Sequence, residues 1–231
     1  MFPKRYWLVL LTYFLMFVFT AIVPVIAHFG FGLDIFQATV YANITGFIGA
    51  LIIIFFLMRT ALREGKISAG KLVGWVIAGI FMAWASQVIA ATIETELLGI
   101  KMGSENTAVI VELSRINPLF ILVPALIGPI LEEFVFRKIL FGTFYKKWNF
   151  LVAAILSSLI FAVVHMDLMH TLIYFAMGVV FAYLYVKTKR IIVPILVHML
   201  LNTIVVTAQL VIDPEMLEQM QQQAQFIFFG G

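Results

Sequence analysis

The sequence predicts an all-α membrane protein, a bundle of about seven transmembrane helices, or eight helices when an interfacial one is counted. Composition gives two reasons: 63% of the residues are hydrophobic, with a mean hydropathy of +1.08, and only 12% are charged. A soluble domain carries about 25% charged residues, and one this apolar would expose large hydrophobic patches. The third reason is a series of apolar runs of about 20 residues, the length that crosses a bilayer as a helix.

The apolar runs place the candidate spans in order along the chain. The first run follows Lys4 and Arg5, and it is too long for a signal peptide, whose apolar region usually has about 7–15 residues. The sixth run is short, and polar residues blur the boundaries of the fourth and fifth. Prolines lie in or beside several runs, where neighbouring helices satisfy the carbonyl groups that proline frees. The predicted spans are 7–27, 38–58, 72–92, 119–140, 150–168, 171–186 and 191–212.

Two segments outside these spans are predicted to contain short helices. Residues 93–117 are rich in glutamate and are expected to form an external loop, in which the stretch from Ser104 to Ser114 lies along the membrane surface. The tail begins Asp213-Pro-Glu, which is typical of a helix start and predicts an interfacial helix. No repeat or linker divides the chain, so we expect one integral membrane domain over residues 1–231.

The basic residues predict the orientation of the bundle. If the spans alternate in direction, all but two of the 15 Lys and Arg residues fall on one side, and Lys101 and Arg115 are the exceptions. Because cytoplasmic loops are enriched in Lys and Arg, we expect a multi-pass protein of the cell membrane, with the N-terminus in the cytoplasm and the C-terminus outside. Basic loops at an anionic leaflet explain the net charge of +3 without nucleic-acid binding. The chain has no cysteine, which excludes disulfides and cysteine nucleophiles.

Several polar residues interrupt the apolar walls of three predicted spans. A charged side chain at mid-bilayer costs about 2.5–3.5 kcal/mol on insertion scales, so residues kept there usually serve a function. Glu133 and Arg137 are four residues apart and can pair on one helix face, whereas Glu132 points about 100° away. The full set comprises Glu132, Glu133 and Arg137 in the fourth span, His165 in the fifth, and His198 and Asn202 in the seventh.

Helix geometry predicts that these residues lie at similar depths. At a rise of about 1.5 Å per residue, Glu132, His165 and Asn202 lie about 20, 24 and 18 Å from the cytoplasmic ends of their spans. They therefore share one layer of the membrane, provided that the fourth helix continues to about Tyr145.

Each feature taken alone also has a structural explanation. Glu133 and Arg137 can form an ion pair that only ties helices together, and a lone histidine in a span is more often hydrogen-bonded structure than a catalyst. Asp167 and His170, near a helix end, are expected at the membrane interface. Polar groups on three helices favour a shared site, because the structural explanations would otherwise have to hold independently.

Three motifs on these spans resemble the signature of the CPBP family. They read EExxxR at residues 132–137, FxxxH at 161–165 and HxxxN at 198–202. The family includes the CAAX-processing type II prenyl endopeptidases and the bacterial Abi proteins. The chain is similar to the YdiL-type bacterial members from Gly128 to Asn202 and at Ser104-Glu105-Asn106-Thr107.

The resemblance implies an intramembrane endopeptidase that hydrolyses a peptide bond of a membrane protein or lipid-associated peptide, with its catalytic core at residues 118–212. It implies four catalytic residues and two supporting ones: Glu132 and His165 activate water, His198 and Asn202 stabilise the oxyanion, and Glu133 and Arg137 support the site. The cofactor is left open, and zinc bound by Glu132, His165 and His198 is the alternative mechanism. The alternative functions are a non-catalytic membrane binding or immunity protein of the same fold and a proton-coupled transporter.

Overall fold

The computed structural model describes residues 2–59, 66–101 and 103–212, and within these ranges it contains helices and connections but no strand. Six helices are long and apolar enough to cross a membrane, α6 is a shorter apolar helix, and α4 is a short helix between two spans. This confirms the predicted all-α membrane bundle. The helices are α1 Lys4–Phe31, α2 Ile35–Met58, α3 Ala69–Leu97, α4 Glu105–Ile116, α5 Pro118–Tyr145, α6 Phe150–Val164, α7 Thr171–Thr188 and α8 Ile192–Val211.

The fifth predicted span, 150–168, is longer than the helix found there. α6 has 15 residues and ends at Val164, because the chain turns at Met166, whose φ is 56°. A helix of this length covers about 22 Å, less than the hydrocarbon thickness of about 30 Å. The chain therefore reverses next to His165 and leaves Asp167 in the connection to α7.

Other helices are longer than the spans predicted for them, among them α1, which runs from Lys4 to Phe31 where 7–27 was predicted. α3 continues to Leu97 through a π-helical turn, because Glu94 is buried and bonded to α7 instead of lying in an external loop. α5 continues to Tyr145, the length that a shared layer of polar residues requires. The short helix expected from Ser104 to Ser114 is present as α4, which Ser104 caps. The helix expected from Asp213 lies outside the described residues.

Two π-helical segments make α5 irregular: Val123–Ile127 and Glu133–Phe141. In the first segment the N–H of Gly128 bonds the carbonyl of Val123, five residues earlier. The next carbonyl, that of Pro124, would pair with residue 129 in the same way, but Pro129 has no N–H. The Pro124 carbonyl is therefore left for a donor from another helix.

Glycines allow the helices around α5 to pack closely. A Cβ added at Gly178 of α7 would lie 2.7 Å from Ser158 of α6, and one added at Gly79 of α3 would lie 2.6 Å from Val197 of α8. The main buried apolar cluster joins α1, α2, α5, α6 and α8 and includes Phe161. The polar residues of α5, α6 and α8 therefore project from tightly packed walls.

Candidate active site

Glu132, His165 and His198 converge on one point although they come from three different helices. The Oε2 atom of Glu132 lies 3.6 Å from Nε2 of His198 and 4.0 Å from Nε2 of His165. The side chains of Glu132 and His165 are 18% and 14% exposed, whereas that of His198 is 2% exposed. The structure thus brings together one polar residue from each of the three motifs, with Glu132 between two imidazole rings.

The hydrogen bond of His165 determines which of its ring nitrogens carries the proton. Nδ1 lies 2.7 Å from the carbonyl oxygen of Phe161, which can only accept, so Nδ1–H is the donor. In the neutral imidazole, Nε2 is then an unprotonated acceptor, and it faces the carboxylate of Glu132. Two acceptors 4.0 Å apart can receive the two hydrogens of a single water molecule.

A buried ion pair holds His198 from the opposite side. Nδ1 of His198 lies 3.1 Å from Oε1 of Glu133, and Oε2 of Glu133 lies 3.2 Å from Nε of Arg137. A carboxylate accepts only, so Nδ1–H donates to Glu133 and Nε2 of His198 faces Glu132. Glu133 and Arg137 are completely buried. They therefore contact the site through His198 and do not reach the cavity.

Two phenylalanines surround the guanidinium of Arg137. Its Cζ lies 4.4 Å from the ring centre of Phe161 and 5.3 Å from that of Phe181, within the range of cation–π attraction. Phe161 also packs against His165, and Phe181 stacks on His198, with ring centres 4.5 and 4.7 Å apart. The two rings thus connect the ion pair to both histidines. Phe161 belongs to the FxxxH motif, whereas nothing in the sequence distinguishes Phe181 from other aromatic residues of its span.

Asn202 lines the same cavity as Glu132, but its amide is bonded to α5. Nδ2 donates to the carbonyl of Pro124 at 3.0 Å, the carbonyl that Pro129 leaves without a backbone donor. The amide nitrogen carries two hydrogens, so one remains for a group in the cavity. A role for Asn202 at the oxyanion would use this second hydrogen.

The cavity beside these residues has a volume of about 610 Å³. Its walls are mainly apolar and carry a few polar side chains away from Glu132, including Asn43, Gln87 and Asn106. Ligand sites of about 300–1,000 Å³ with this kind of lining are typical of proteins.

Comparisons with known proteins bear on what this site does. A family model described as "Type II CAAX prenyl endopeptidase Rce1-like" matches residues 114–204, which contain all three motifs. The chain is 43% identical over 240 residues to the "Putative membrane peptidase YdiL" of Bacillus subtilis (strain 168), covering 98% of each chain. The chain belongs to the CAAX protease family of membrane peptidases. It is also 37% identical over 209 residues to the "Membrane-embedded CAAX protease MroQ" of Staphylococcus aureus (strain USA300), covering 85% of this chain and 84% of that one.

No solved structure matches the chain at a significant level.

The side chains of the zinc alternative are spaced more widely in this structure than the ligands of a bound zinc ion. Zinc holds nitrogen and oxygen ligands at about 2.0–2.1 Å in a tetrahedron, which sets neighbouring ligand atoms about 3.3 Å apart. Oε2 of Glu132 lies farther from the imidazole nitrogens, at 3.6 Å from His198 and 4.0 Å from His165. Within the described ranges, no group of three or more His, Cys, Asp or Glu side chains is arranged to hold a metal ion.

A second buried carboxylate, that of Glu94, was missed by the sequence analysis and joins α3 to the start of α7. Oε1 accepts hydrogen bonds from the backbone N–H groups of Leu172 and Ile173, at 2.9 and 3.3 Å. Oε2 lies 2.9 Å from Nδ1 of His170. Glu94 thus caps the N-terminus of α7 from another helix, since the side chain at the cap position, His170, makes no capping bond itself.

His170 and Asp167, which are expected at the membrane interface, are buried within the protein, with 7% and 6% of their surface exposed. Both ring nitrogens of His170 face acceptors, because Nε2 lies 2.7 Å from the carbonyl of Gly103. Burial by itself lowers the pKa of His170, but the hydrogen bonds to Glu94 and Gly103 outweigh burial and raise the pKa above its ordinary value. The imidazolium is the form that donates to both partners.

Proposed function

We propose that the chain is an intramembrane endopeptidase in which Glu132 and His165 activate water to hydrolyse a peptide bond of a membrane-associated substrate. The observation that carries the proposal is the position of Oε2 of Glu132, which faces the Nε2 atoms of His198 and His165 at 3.6 and 4.0 Å in the wall of a cavity. Peptide hydrolysis needs a base for the attacking water and a donor for the oxyanion. The side chains around Glu132 supply both.

Water activation is assigned to Glu132 and His165. A water molecule between Oε2 and Nε2 donates one hydrogen to each acceptor, since the His165 proton is on Nδ1. Its lone pair is then directed at a peptide carbonyl carbon in the cavity. As the new C–O bond forms, the proton passes from the water to the carboxylate of Glu132.

Oxyanion stabilisation is assigned to His198, with Asn202 as the second donor. The imidazolium form of His198 has two ring N–H groups, of which Nδ1–H donates to Glu133 and Nε2–H is the other. This Nε2–H then points away from Glu133 and into the site. Donors aimed at a developing oxyanion in a dry site are typically worth about 10²–10³ in kcat.

The tetrahedral intermediate breaks down when the C–N bond opens. The proton held by Glu132 passes to the leaving amine, so the carboxylate is regenerated and the products are a carboxylic acid and an amine. Every proton in this sequence moves between the substrate, the water and Glu132, which agrees with the partial exposure of this one glutamate.

The substrate class follows from the location of the site. The two similar proteins are named as a membrane peptidase and a membrane-embedded CAAX protease, and the cavity here is walled by helices that cross the membrane. A membrane protein or a lipid-associated peptide is therefore the proposed substrate.

The test compares membranes from cells that express the wild-type chain, Glu132→Gln or the matched control Glu112→Gln, whose glutamate is exposed on α4. New protein N-termini are mapped by mass spectrometry in each membrane fraction. We expect N-termini that the wild type and Glu112→Gln generate and Glu132→Gln does not.

Identical sets of N-termini in all three membranes, at equal expression, would contradict the peptidase proposal. Retention of a tightly bound membrane partner by both the wild type and Glu132→Gln, again without cleavage, would favour the binding or immunity protein instead.

A further inference from the structure

The ring of Tyr174, on α7, covers one face of His165. Their ring centres lie 4.2 Å apart with an interplanar angle of 28°, which is a stacked arrangement. Phe161 packs edge-on against the same imidazole, and its carbonyl binds Nδ1. The direction of Nε2 of His165 therefore depends on the position of Tyr174 as well as on the FxxxH motif.

The hydroxyl of Tyr174 is anchored by a directed chain of hydrogen bonds from α4. The single hydrogen of Ser104 Oγ is donated to Oδ2 of Asp167 at 2.6 Å, so Ser104 accepts from the Tyr174 hydroxyl at 3.3 Å. Nδ2 of Asn106 donates to the Tyr174 hydroxyl oxygen at 3.3 Å. The chain thus runs from Asn106 through Tyr174 and Ser104 to a buried carboxylate.

The connection after α6 brings this carboxylate into place. Met166 lies between His165 and Asp167 with a φ of 56°, in the left-handed region that a non-glycine residue occupies at some cost. Such strain persists where the surrounding structure requires it, and it is frequent at functional sites. Here the turn directs His165 to Glu132 and Asp167 to Ser104.

We propose that Tyr174 is a positioning residue that holds His165 in the orientation required for water activation, and that Ser104 and Asp167 hold Tyr174. The inference rests on the proposed function for the role of His165 in catalysis. The stack and the hydrogen-bond chain link α4, the α6–α7 connection and α7 into one support for a single imidazole ring.

The test separates the ring of Tyr174 from its hydroxyl group. Tyr174→Leu removes the stack, Tyr174→Phe keeps the stack and removes the anchor, and Ser104→Ala removes the anchor from the other side. Ser114→Ala is the matched control, because Ser114 lies on α4 and bonds only its own helix at Ile110. Cleavage is measured on a quenched fluorogenic peptide that carries a site separating wild-type from Glu132→Gln membranes.

We expect Tyr174→Leu to lower kcat about 100-fold with little change in KM, the size of effect that follows a small misplacement of a catalytic group. Tyr174→Phe is expected to avoid most of this loss, with a kcat about 3- to 10-fold below that of the wild type. We expect Ser104→Ala to have the same kcat as Tyr174→Phe. The Ser104→Ala/Tyr174→Phe double variant should be no slower than either single variant, and Ser114→Ala should have the wild-type kcat. A raised KM with wild-type kcat in Tyr174→Leu would make Tyr174 part of the substrate wall and overturn the proposal.

A second readout does not depend on catalysis. The chain has four histidines, so ¹⁵N labelling of histidine gives few ring signals, and the spectrum of His165→Gln assigns those of His165. We expect the Nδ1–H tautomer of His165 in the wild type and Tyr174→Phe, and averaged tautomer signals in Tyr174→Leu. Unchanged His165 signals in a folded Tyr174→Leu variant would contradict the positioning role, whether or not the chain cleaves peptides.

Discussion

Nδ1 of His198 lies 3.1 Å from Oε1 of Glu133, and both side chains are buried. The other oxygen of the same carboxylate binds Arg137 at 3.2 Å. Glu132 and Glu133 are adjacent in the sequence, yet one faces a cavity and the other is enclosed by protein. We therefore propose different roles for the neighbouring glutamates, in which Glu132 acts on water and Glu133 orients His198.

Glu133 and Arg137 form a buried ion pair, so removing either side chain leaves the charge of the other uncompensated. We expect Glu133→Gln and Arg137→Met each to lower the free energy of unfolding by about 3–5 kcal/mol, because breaking a buried ion pair leaves an uncompensated charge. The double variant loses much less than the two single costs together. Unfolding of the purified protein in a denaturing detergent measures all three, and strictly additive losses would contradict the pairing.

The side chain of Asn202 donates to the Pro124 carbonyl, with which Pro129 cannot pair because it has no N–H. Asn202→Ala leaves that carbonyl unpaired, and we expect a loss of about 1–3 kcal/mol in the free energy of unfolding. Pro129→Ala supplies an N–H that can bond the Pro124 carbonyl. In the Pro129→Ala protein, Asn202→Ala is therefore expected to lower the free energy of unfolding by less than it does in the wild type.

Measurements of peptide cleavage distinguish the structural role of Asn202, its bond to Pro124, from its proposed role at the oxyanion. If its second amide hydrogen serves the oxyanion, the Pro129→Ala/Asn202→Ala variant regains stability but stays slow in peptide cleavage. A stable double variant with full kcat would remove Asn202 from the oxyanion site.

The contact between Glu94 and His170 is predicted to weaken as the pH rises. The folded protein raises the pKa of His170, so this contribution to stability is complete below the ordinary pKa of about 6.5 and is lost as the pH rises through the raised value. A double-mutant cycle with His170→Gln and Glu94→Gln, followed by thermal unfolding from pH 6 to pH 9, measures the coupling. We expect a coupling that is largest at pH 6 and declines with rising pH, and a coupling that grows with pH would contradict the assignment.

Sequence patterns were sufficient for the parts of the molecule that depend on local periodicity. Runs of apolar residues marked the six long spans, and the spacing of Glu133 and Arg137 predicted the ion pair that the structure contains. The need for α5 to reach Tyr145 was also derived from depth alone, and it is met. These features succeed because helix rise and turn angle convert sequence separation directly into distance.

The sequence did not predict features that depend on tertiary contacts. Glu94 and His170 are 76 residues apart in the chain, and a glutamate beside a glutamate-rich segment indicated an external loop rather than a buried cap. Tyr174 and Phe181 read as ordinary aromatic residues of an apolar span, because only the packed structure shows them stacked on the two histidines. α6 ends before the predicted residue 168 because the chain turns at Met166, and no glycine or proline in the sequence marks this turn.

The orientation expected from the basic loops remains a prediction, and the chain is well suited to testing it because it contains no cysteine. Single cysteines replace two exposed residues, Met169 in the α6–α7 connection and Lys147 in the α5–α6 connection. In intact cells a membrane-impermeant maleimide is expected to label Met169→Cys, whereas Lys147→Cys reacts only after permeabilisation. The opposite pattern would invert the predicted topology.

The most direct measurement is kcat for peptide cleavage by purified, reconstituted Glu132→Gln beside the wild type and Glu112→Gln. Loss of a general base typically costs about 10²–10⁴ in rate, so we predict a loss of at least about 10² for Glu132→Gln, with a wild-type unfolding midpoint and no loss for Glu112→Gln. A folded Glu132→Gln protein that cleaves the peptide within a few-fold of the wild-type rate would contradict the account, because no water-activating carboxylate would then be needed at this position.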